Sequence, residues 1–555
     1  MIFHSGMDNQ PATNPSRSLL VRLWPWLIVL FVLLFVGFIR VRLLDMPLER
    51  DEGEYAYAGQ LLLQGIPPYE LAYNMKLPGT YFAYALGMAL FGQTVAGVHL
   101  TLIVANSLTI IFVFLLGRKL FGTTAGLVAS AAFGILSVSP AVLGMEAHAN
   151  HYVILFAVPA TLLLWNAGES GRLWTLFFSG LLYGLAFLMK QQGICFCFFG
   201  GAFLVWRAIQ NKIIVSTGFF KMFSCFGLGM FLPFGLTCLY LGLAGVFSKF
   251  WFWTFTYAGS YVTSLTLTEG WLRFCGYCQD WIIYSGFLAL AAVGLLFAGR
   301  NNASRGQIIF AIGFLFFSFF GTAIGLYFRQ HYFILLLPAF AIIVGLAVHS
   351  LQQVFQSAKA GIFFKIIPLL LFAAAFIWNC FCQRQFFFQW PADAVCQILY
   401  SGDIEPFAVM PVVGKYIREH SSTNARIAVV GSEPEIYFYA QRRSATGYIY
   451  TYALMEPQPN ALKMQRDMIR EIESGKPEFL VWVQNNNSWI IRPASKRLIF
   501  DWFFNYANDS YERVGVIDQP SWDKVFFAWD AAAKNYHVAD EPHILVFKRK
   551  SALAN

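Results

Sequence analysis

The sequence predicts an α-helical integral membrane protein with about 11 (11–13) transmembrane helices, followed by a small α/β domain outside the membrane. Of its 555 residues, 57% are hydrophobic and 12% are charged, whereas soluble domains carry about 25% charged residues. Apolar runs of membrane-spanning length recur along the first two thirds of the chain. After about residue 383, charged residues become frequent and the apolar runs shorten to strand length.

The apolar runs define the predicted spans. Residues 1–23 are polar and basic, and Trp24–Phe38 is the first run. No small-residue cleavage site follows it, so we interpret it as a retained span and not as a signal peptide. The short, glycine-rich run 81–92 is more typical of an interfacial or re-entrant helix. Further runs lie at about 97–117, 124–143, 152–166, 173–189, 193–209, 219–243, 281–299, 307–327, 332–350 and 362–381.

The basic residues predict the orientation of these spans. The net charge of +9 is concentrated in short loops between apolar runs, which indicates membrane orientation and argues against nucleic acid as a partner. With residues 1–23 in the cytoplasm, an odd number of spans places segment 45–80, loop 244–280 and domain 383–555 outside the cytoplasm. The transmembrane domain is then 24–382. The basic residues on the predicted cytoplasmic side are Arg118, Lys119, Arg172, Arg207, Lys212, Lys221, Arg300, Arg305, Lys359 and Lys365.

The last third of the chain alternates strand-like and helix-like patterns. Arg426–Val430, Phe479–Val483 and Ile544–Phe547 are typical of strands, and Pro457–Ser474 has apolar residues at helical spacing. This alternation predicts an α/β domain. Earlier in the chain, Cys275 and Cys278 form a C-x-x-C. A disulfide or a metal site is one interpretation, and unlinked thiols are the one we favour, since no second C-x-x-C accompanies it.

The segment from Leu48 to Tyr57 concentrates acidic and aromatic residues directly after the first span. On a helix, Asp51, Glu54 and Tyr55 share one face, because they are three and four residues apart. A carboxylate there suits a general base that deprotonates a hydroxyl acceptor. The same Asp51-x-x-Glu54 spacing is typical of a helix-capping box. Spacing alone leaves both interpretations open, and they are compatible.

Several motifs resemble those of the GT-C glycosyltransferases, in the branch of protein mannosyltransferases and lipid A aminoarabinose transferases. The densest resemblance covers residues 48–92: Asp51-Glu52-Gly53, Tyr55, Gly65, Pro68-Tyr69 and Lys76-Leu77-Pro78-Gly79-Thr80-Tyr81. Thinner matches are Arg118-Lys119-Leu120-Phe121-Gly122, Lys190-Gln191-Gln192-Gly193, Arg329-Gln330-His331-Tyr332-Phe333 with Pro338, and Glu433–Tyr439.

This resemblance implies a transfer reaction and assigns roles to residues. A polyprenyl-phosphate-linked sugar is the donor, and a hydroxyl on a lipid, glycan or protein is the acceptor, on the extracytoplasmic side of a bacterial inner membrane. Asp51 is the expected general base, and Glu52 is grouped with it as catalytic. The expected donor-phosphate ligands are Lys76, Lys190, Arg329 and His331, and the expected substrate contacts are Tyr55, Tyr81, Glu146, His148, His151, Gln191 and Tyr332.

The sequence departs from the family at positions that bear on metal binding, so both a metal-bound and a metal-free site are compatible with it. In aminoarabinose transferases an acid precedes the loop lysine and helps to bind a metal, whereas Met75 precedes Lys76 here. Glu146, His148 and His151 offer another metal or acceptor site, with a polar span end as the plainer interpretation. No cofactor is certain. A transporter or flippase, or a ligase, for a lipid-linked glycan is the alternative function; a transporter should carry polar groups near the middle of the membrane.

Overall fold

The computed structural model describes residues 15–278, 284–298, 305–357, 362–538 and 542–550. Helices occupy most of the first 382 positions, as the apolar runs predict. They are α1 (Pro15–Arg42), α2 (Arg50–Leu63), α3 (Gly79–Phe91), α4 (Val95–Phe121), α5 (Thr123–Leu136), α6 (Ala149–Ser170), α7 (Leu173–Met189), α8 (Ile194–Gln210), α9 (Thr217–Leu243), α10 (Phe247–Trp251), α11 (Ala258–Val262), α12 (Leu267–Cys278), α13 (Ser285–Phe297), α14 (Arg305–Ala323), α15 (Leu337–Ser357) and α16 (Ile362–Cys382).

Within the described residues, eight helices are long and apolar enough to cross a membrane, and four apolar helices are shorter. Helix α3 is one of the shorter ones, and its 13 residues span only about 20 Å at 1.5 Å per residue. That length suits the predicted interfacial or re-entrant helix better than a full crossing. The lipid-facing character of the long helices shows in side chains such as Phe31 and Leu228, which are more than 60% exposed.

The C-terminal region is an α/β domain, as predicted. Its strands form one six-stranded sheet in the order β2-β1-β3-β6-β4-β5, in which β2, β1 and β3 are parallel and the remaining pairs are antiparallel. The strands are β1 (Arg426–Val430), β2 (Arg443–Ser444), β3 (Phe479–Gln484), β4 (Tyr511–Ser521), β5 (Lys524–Trp529) and β6 (His543–Arg549). The helices are α17 (Arg384–Phe388), α18 (Ala392–Leu399), α19 (Met410–His420), α20 (Glu435–Ala440), α21 (Tyr452–Met455), α22 (Ala461–Gly475), α23 (Asn486–Trp489), α24 (Leu498–Ser510) and α25 (Ala531–Lys534).

Helix α2 joins this domain to the membrane helices. A Cβ on Gly53 would lie 2.4 Å from the Cβ of Glu435, so only glycine permits this contact between α2 and α20. The guanidinium of Arg50 donates to the Ser432 carbonyl at 2.6 Å and contacts the carboxylates of Glu405 and Glu433 at 2.9 and 3.1 Å. Because these charges are buried and mutually paired, the two parts of the chain are held in a fixed relation.

Two details of the sequence-based interpretation are settled here. The helix begins two positions earlier than the predicted capping box requires, so the Asp51-x-x-Glu54 box was wrong. Glu49 is the N-cap, and its side chain and that of Glu52 form the reciprocal box. All nine cysteines lie in described residues and are unlinked thiols, including Cys275 and Cys278. Arg300 and Lys359 lie outside the described residues.

Candidate active site

Asp51 lies in the first turn of α2, and the capping box fixes it there. A carboxylate at this position is favoured by the positive end of the helix dipole. One oxygen, Oδ2, lies 3.0 Å from the Lys76 ammonium, and Oδ1 accepts a hydrogen bond from the Tyr450 hydroxyl at 3.0 Å. The side chain is 19% exposed, which leaves it accessible to a small group in the pocket.

The loop that follows α2 supplies Lys76. Its backbone is held by Tyr69, whose hydroxyl donates to the Lys76 carbonyl at 2.7 Å. The Lys76 ammonium also donates to the Tyr55 hydroxyl at 3.2 Å. Because Asp51 and Tyr55 are four positions apart on α2, one lysine contacts both.

Glu54 occupies the same face but points away from the pocket. Its carboxylate accepts from the Tyr81 hydroxyl at 2.5 Å and from the Asn74 amide at 2.7 Å. Burial raises the pKa of Glu54 to about 8, against the opposing charge of Lys76. At neutral pH this carboxyl is therefore protonated and holds the loop to α3, which is a structural role.

Two further cations approach Asp51 without an acidic partner of their own. Lys190 stands in extended backbone between α7 and α8; its ammonium donates to the Asn150 amide oxygen at 2.8 Å and lies 4.4 Å from the centre of the Tyr332 ring. Arg329 follows a turn in which Phe328 has a φ of 43°, a strained conformation of the kind concentrated at functional sites. In the described part of the chain, neither cation lies within salt-bridge distance of a carboxylate.

The charged side chains around Asp51 change one another's pKa values. Burial alone would raise the pKa of Asp51, but the adjacent Lys76 outweighs it, and His148 and Lys190 add to the effect, so the pKa lies well below its usual value. Burial and the charge of Lys76 together lower the pKa of Lys190 well below its usual value. Asp51 is therefore ionised throughout the physiological range, and the ammonium of Lys190 would gain from an anion in the pocket.

Two histidines lie behind Asp51. The rings of His148 and His331 stack with centroids 4.1 Å apart, and His148 Nε2 lies 2.7 Å from a Glu146 oxygen. Asp51, His148 and His331 bring ligand atoms within 4.8 Å of one another, and so do Glu49, Glu146 and His148. Carboxylate and imidazole are ligands that zinc and similar ions accept. Either set could hold a metal, although Lys76 already pairs with Asp51.

Tyrosine and tryptophan side chains from both parts of the chain form the walls of the pocket, whose cavity volume is about 60 Å³. The C-terminal domain contributes the segment around α21. The lining residues are Asp51, Tyr73, Asn74, Met75, Lys76, Trp253, Tyr257, Tyr261, Arg329, His331, Tyr332, Tyr450, Tyr452, Ala453 and Glu456.

A larger apolar cavity of about 590 Å³ lies beside the pocket, between α3, α4, α6, α7 and α9. Gly79 and Met189 line it, three residues after Lys76 and one before Lys190. Glycine is required at this point, because a Cβ on Gly79 would lie 2.5 Å from the Leu188 carbonyl oxygen. The apolar cavity therefore ends close to the two lysines.

The structure gathers most of the predicted site residues but not all. Asp51, Lys76, Arg329, His331 and Tyr332 line the pocket. Four further predicted residues contact these residues or the loop around Lys76: Tyr55, His148, Lys190 and Gln191. Tyr81 and Glu146 instead contact Glu54 and His148.

Glu52 and His151 are not among the lining residues. The Glu52 carboxylate is fully buried and accepts from the Ala147 amide at 2.6 Å, with His99 at 3.2 Å. It connects the first loop to the loop before α6, so we correct its assignment from catalytic to structural. His151, in the first turn of α6, is also buried.

The sequence interpretation missed the aromatic residues of loop 244–280 and of the C-terminal domain. A signal for the second group was present, because Tyr448, Tyr450 and Tyr452 alternate within one short segment. Nothing in the local sequence indicates which of these tyrosines reaches Asp51, since the contact joins positions 399 residues apart.

Comparison with known proteins gives matches of two kinds. Residues 76–236 match the family model described as dolichyl-phosphate-mannose-protein mannosyltransferase. A 155-residue stretch is 32% identical to the undecaprenyl phosphate-alpha-4-amino-4-deoxy-L-arabinose arabinosyl transferase of Pseudomonas aeruginosa, and 182 residues are 30% identical to the protein of that name from Pseudomonas paraeruginosa. These stretches cover 25% and 30% of this chain and only 27% and 32% of those relatives.

Solved structures match over much more of the chain. ArnT from Cupriavidus metallidurans bound to undecaprenyl phosphate superposes with a TM-score of 0.54, at 15% identity, over 94% of this chain and 98% of that one. The archaeal oligosaccharyltransferase AglB from Archaeoglobus fulgidus, in complex with an inhibitory peptide and a dolichol-phosphate, gives 0.55 at 12% identity, over 92% and 75%. At such identities the likeness shows the fold. The chain is therefore an integral membrane protein of GT-C fold, and the resemblance to this branch is confirmed.

Proposed function

We propose that this chain, with the fold it shares with ArnT, is a membrane glycosyltransferase that moves a sugar from a polyprenyl-phosphate carrier to a hydroxyl acceptor. The observation that carries the proposal is a pocket at the end of an apolar cavity, in which Lys76 and Arg329 line the wall around one ionised carboxylate and Lys190 lies beside Tyr332. A lipid phosphate matches both parts, because its phosphate balances the cations and its isoprenoid chain fills the apolar space. The names of the matched relatives agree with such a donor.

The reaction follows from the charges. The ionised Asp51 accepts the proton of the acceptor hydroxyl while that oxygen attacks the anomeric carbon of the donor sugar. The bond between this carbon and the phosphate oxygen breaks, and its electron pair leaves with the polyprenyl phosphate. Lys76, Lys190 and Arg329 stabilise the negative charge that gathers on the leaving group. His331 and Tyr332 complete the wall against which the donor lies.

The proposal also specifies the side of the membrane on which the pocket lies and the route by which the acceptor enters. We place the pocket and domain 383–555 on the extracytoplasmic side of a bacterial inner membrane, because the basic loops then lie in the cytoplasm. The acceptor enters between α21 and the Asp51 loop, where the tyrosine and tryptophan rings suit the apolar faces of a sugar. A glycan, lipid or protein hydroxyl would serve the same chemistry.

The experiment that tests this function starts from a deletion strain. Mass spectrometry of its lipids should show a polyprenyl-phosphate sugar that accumulates, and this lipid then serves as donor for the purified protein in liposomes. Asp51→Asn should lower the transfer rate by roughly 10²–10⁴-fold, while the protein keeps its expression level and its unfolding temperature. Asn preserves size and hydrogen-bonding ability, so near-normal transfer by this variant would remove the general-base assignment.

A further inference from the structure

Of the three basic side chains in and beside the pocket, only one is paired with an acid in the described part of the chain. Lys76 has an acidic partner, Asp51 Oδ2 at 3.0 Å. The partners of Lys190 and Arg329 are an amide oxygen and a phenol, at 2.8 and 3.5 Å. Across the described ranges, Asp51 is therefore the one carboxylate that contacts any of these three cations. The base is neutralised by a cation that the phosphate of the carrier also requires.

The hydrogen bonds of Lys76 leave room for a second anion. An ammonium has three donors, and two of them reach Asp51 and the Tyr55 hydroxyl at 3.0 and 3.2 Å. The side chain is 14% exposed and lines the pocket. A phosphate that enters the pocket can therefore reach the same nitrogen that holds Asp51.

We propose that Lys76 is a counter-ion shared by Asp51 and the carrier phosphate, so that binding of the carrier loosens the hold of Lys76 on Asp51. This inference rests on the proposed function, and it concerns how the site is regulated. Without the carrier, the ammonium of Lys76 is paired with Asp51 at 3.0 Å. With the carrier bound, the charge of Lys76 is divided between two anions, and Asp51 is held less tightly. The carboxylate is thus freed toward the acceptor when the donor is in place.

The coupling must be reciprocal, because it is a free energy between two equilibria. If the phosphate weakens the hold of Lys76 on Asp51, then neutralising Asp51 strengthens the hold of Lys76 on the phosphate. Couplings between sites commonly change an affinity by about 5–150-fold, and one shared charge in a half-buried pocket should lie near the lower end. We expect Asp51→Asn to bind the carrier about tenfold more tightly than the unaltered protein.

The test measures equilibrium binding of undecaprenyl phosphate to the full chain in lipid nanodiscs, by native mass spectrometry. Four proteins form a double-mutant cycle: unaltered, Asp51→Asn, Lys76→Met, and both changes together. Lys76→Met should weaken binding. Asp51→Asn should tighten binding about tenfold when Lys76 is present and less than about twofold when it is absent.

The cycle separates sharing from simple repulsion between Asp51 and the phosphate. Under repulsion, Asp51→Asn tightens binding at least as much in the Lys76→Met protein, and that result would overturn the inference, as would no tightening at all. Glu456→Gln is the matched control, because Glu456 lines the same pocket but accepts a hydrogen bond from the Tyr257 hydroxyl, and no lysine among the described residues forms an ion pair with it. Its affinity should stay within about twofold of the unaltered protein, and equal tightening there would also contradict sharing.

Failure of the proposed function gives a different result. If folded proteins of the whole cycle bind undecaprenyl phosphate no better than undecaprenol, the donor assignment itself is wrong. If the unaltered protein binds the phosphate but the two changes act independently, the donor assignment stands and the shared counter-ion does not. Size-exclusion profiles and unfolding temperatures establish that each variant is folded.

Discussion

The hydrogen bond from Tyr450 to Asp51 allows a sharp test of how the base is held. Tyr450→Phe removes one hydroxyl and keeps the ring that lines the pocket. The lost bond has a 3.0 Å separation and an ionised acceptor, and hydrogen bonds to charged groups contribute about 1.5–3 kcal/mol. Lys76 still holds the other oxygen of Asp51, so we take the lower end of that range as the cost of misplacing the base. About 1.4 kcal/mol corresponds to a tenfold loss of rate.

We therefore expect Tyr450→Phe to lower kcat about tenfold with little change in the KM of either substrate. The assay is initial-rate transfer in liposomes with donor and acceptor varied separately. Tyr452→Phe is the matched control, because Tyr452 also lines the pocket but its hydroxyl donates to the Asn487 carbonyl at 2.8 Å. Its kcat should change less than about threefold. A kcat for Tyr450→Phe equal to that of the unaltered enzyme, or a change in acceptor KM alone, would refute the positioning role.

Three further outcomes are expected. Arg329→Ala should lower kcat and weaken donor binding together, with partial rescue by Arg329→Lys; a rise in acceptor KM alone would assign Arg329 to the acceptor instead. Cysteines introduced after residue 420 should react with a membrane-impermeant reagent added outside intact spheroplasts, and protection there would reverse the topology. Because the folded pKa of Glu54 is raised to about 8, its neutral form stabilises the fold at low pH, and this contribution is lost as pH rises from about 4.5 to 8. The unfolding temperature of the Glu54→Gln variant, relative to that of the unaltered protein, should therefore rise as the pH increases over that window. A difference that stays constant with pH would contradict the raised pKa.

Features that depend on neighbouring residues could be predicted from the sequence, whereas features that depend on contacts between distant positions could not. Apolar runs predict the membrane helices because the length and hydrophobicity of a single segment determine whether it can lie in lipid. Shorter apolar runs predict β1, β3 and β6, because the pattern within each run is enough to indicate a strand. The capping box was misplaced by two residues, since two overlapping acid pairs, Glu49 with Glu52 and Asp51 with Glu54, have the same spacing. Only the folded chain shows which pair is used.

The candidate site likewise has a part that local sequence motifs predict and a part that they do not. The loop around Asp51 and Lys76 carries recognisable local motifs, and these residues do meet in the pocket. Glu52 was assigned to catalysis by its position next to Asp51, but adjacent positions on a helix point in different directions, and Glu52 is turned into the protein. The role of Tyr450 depends on docking of the C-terminal domain against α2, which local patterns do not encode.

The two groups that hold Asp51 are synthesised at very different times. Lys76 follows it by 25 positions, whereas Tyr450 follows it by 399 and reaches it only because Gly53 lets α20 lie directly on α2. During translation, every membrane helix described here is made before this tyrosine. The nascent chain therefore carries its carboxylate with one of the two restraints missing until the final domain has folded back on the first loop. A copy in which the last domain is missing or has not docked against α2 therefore lacks the hydrogen bond from Tyr450 that helps to hold this carboxylate.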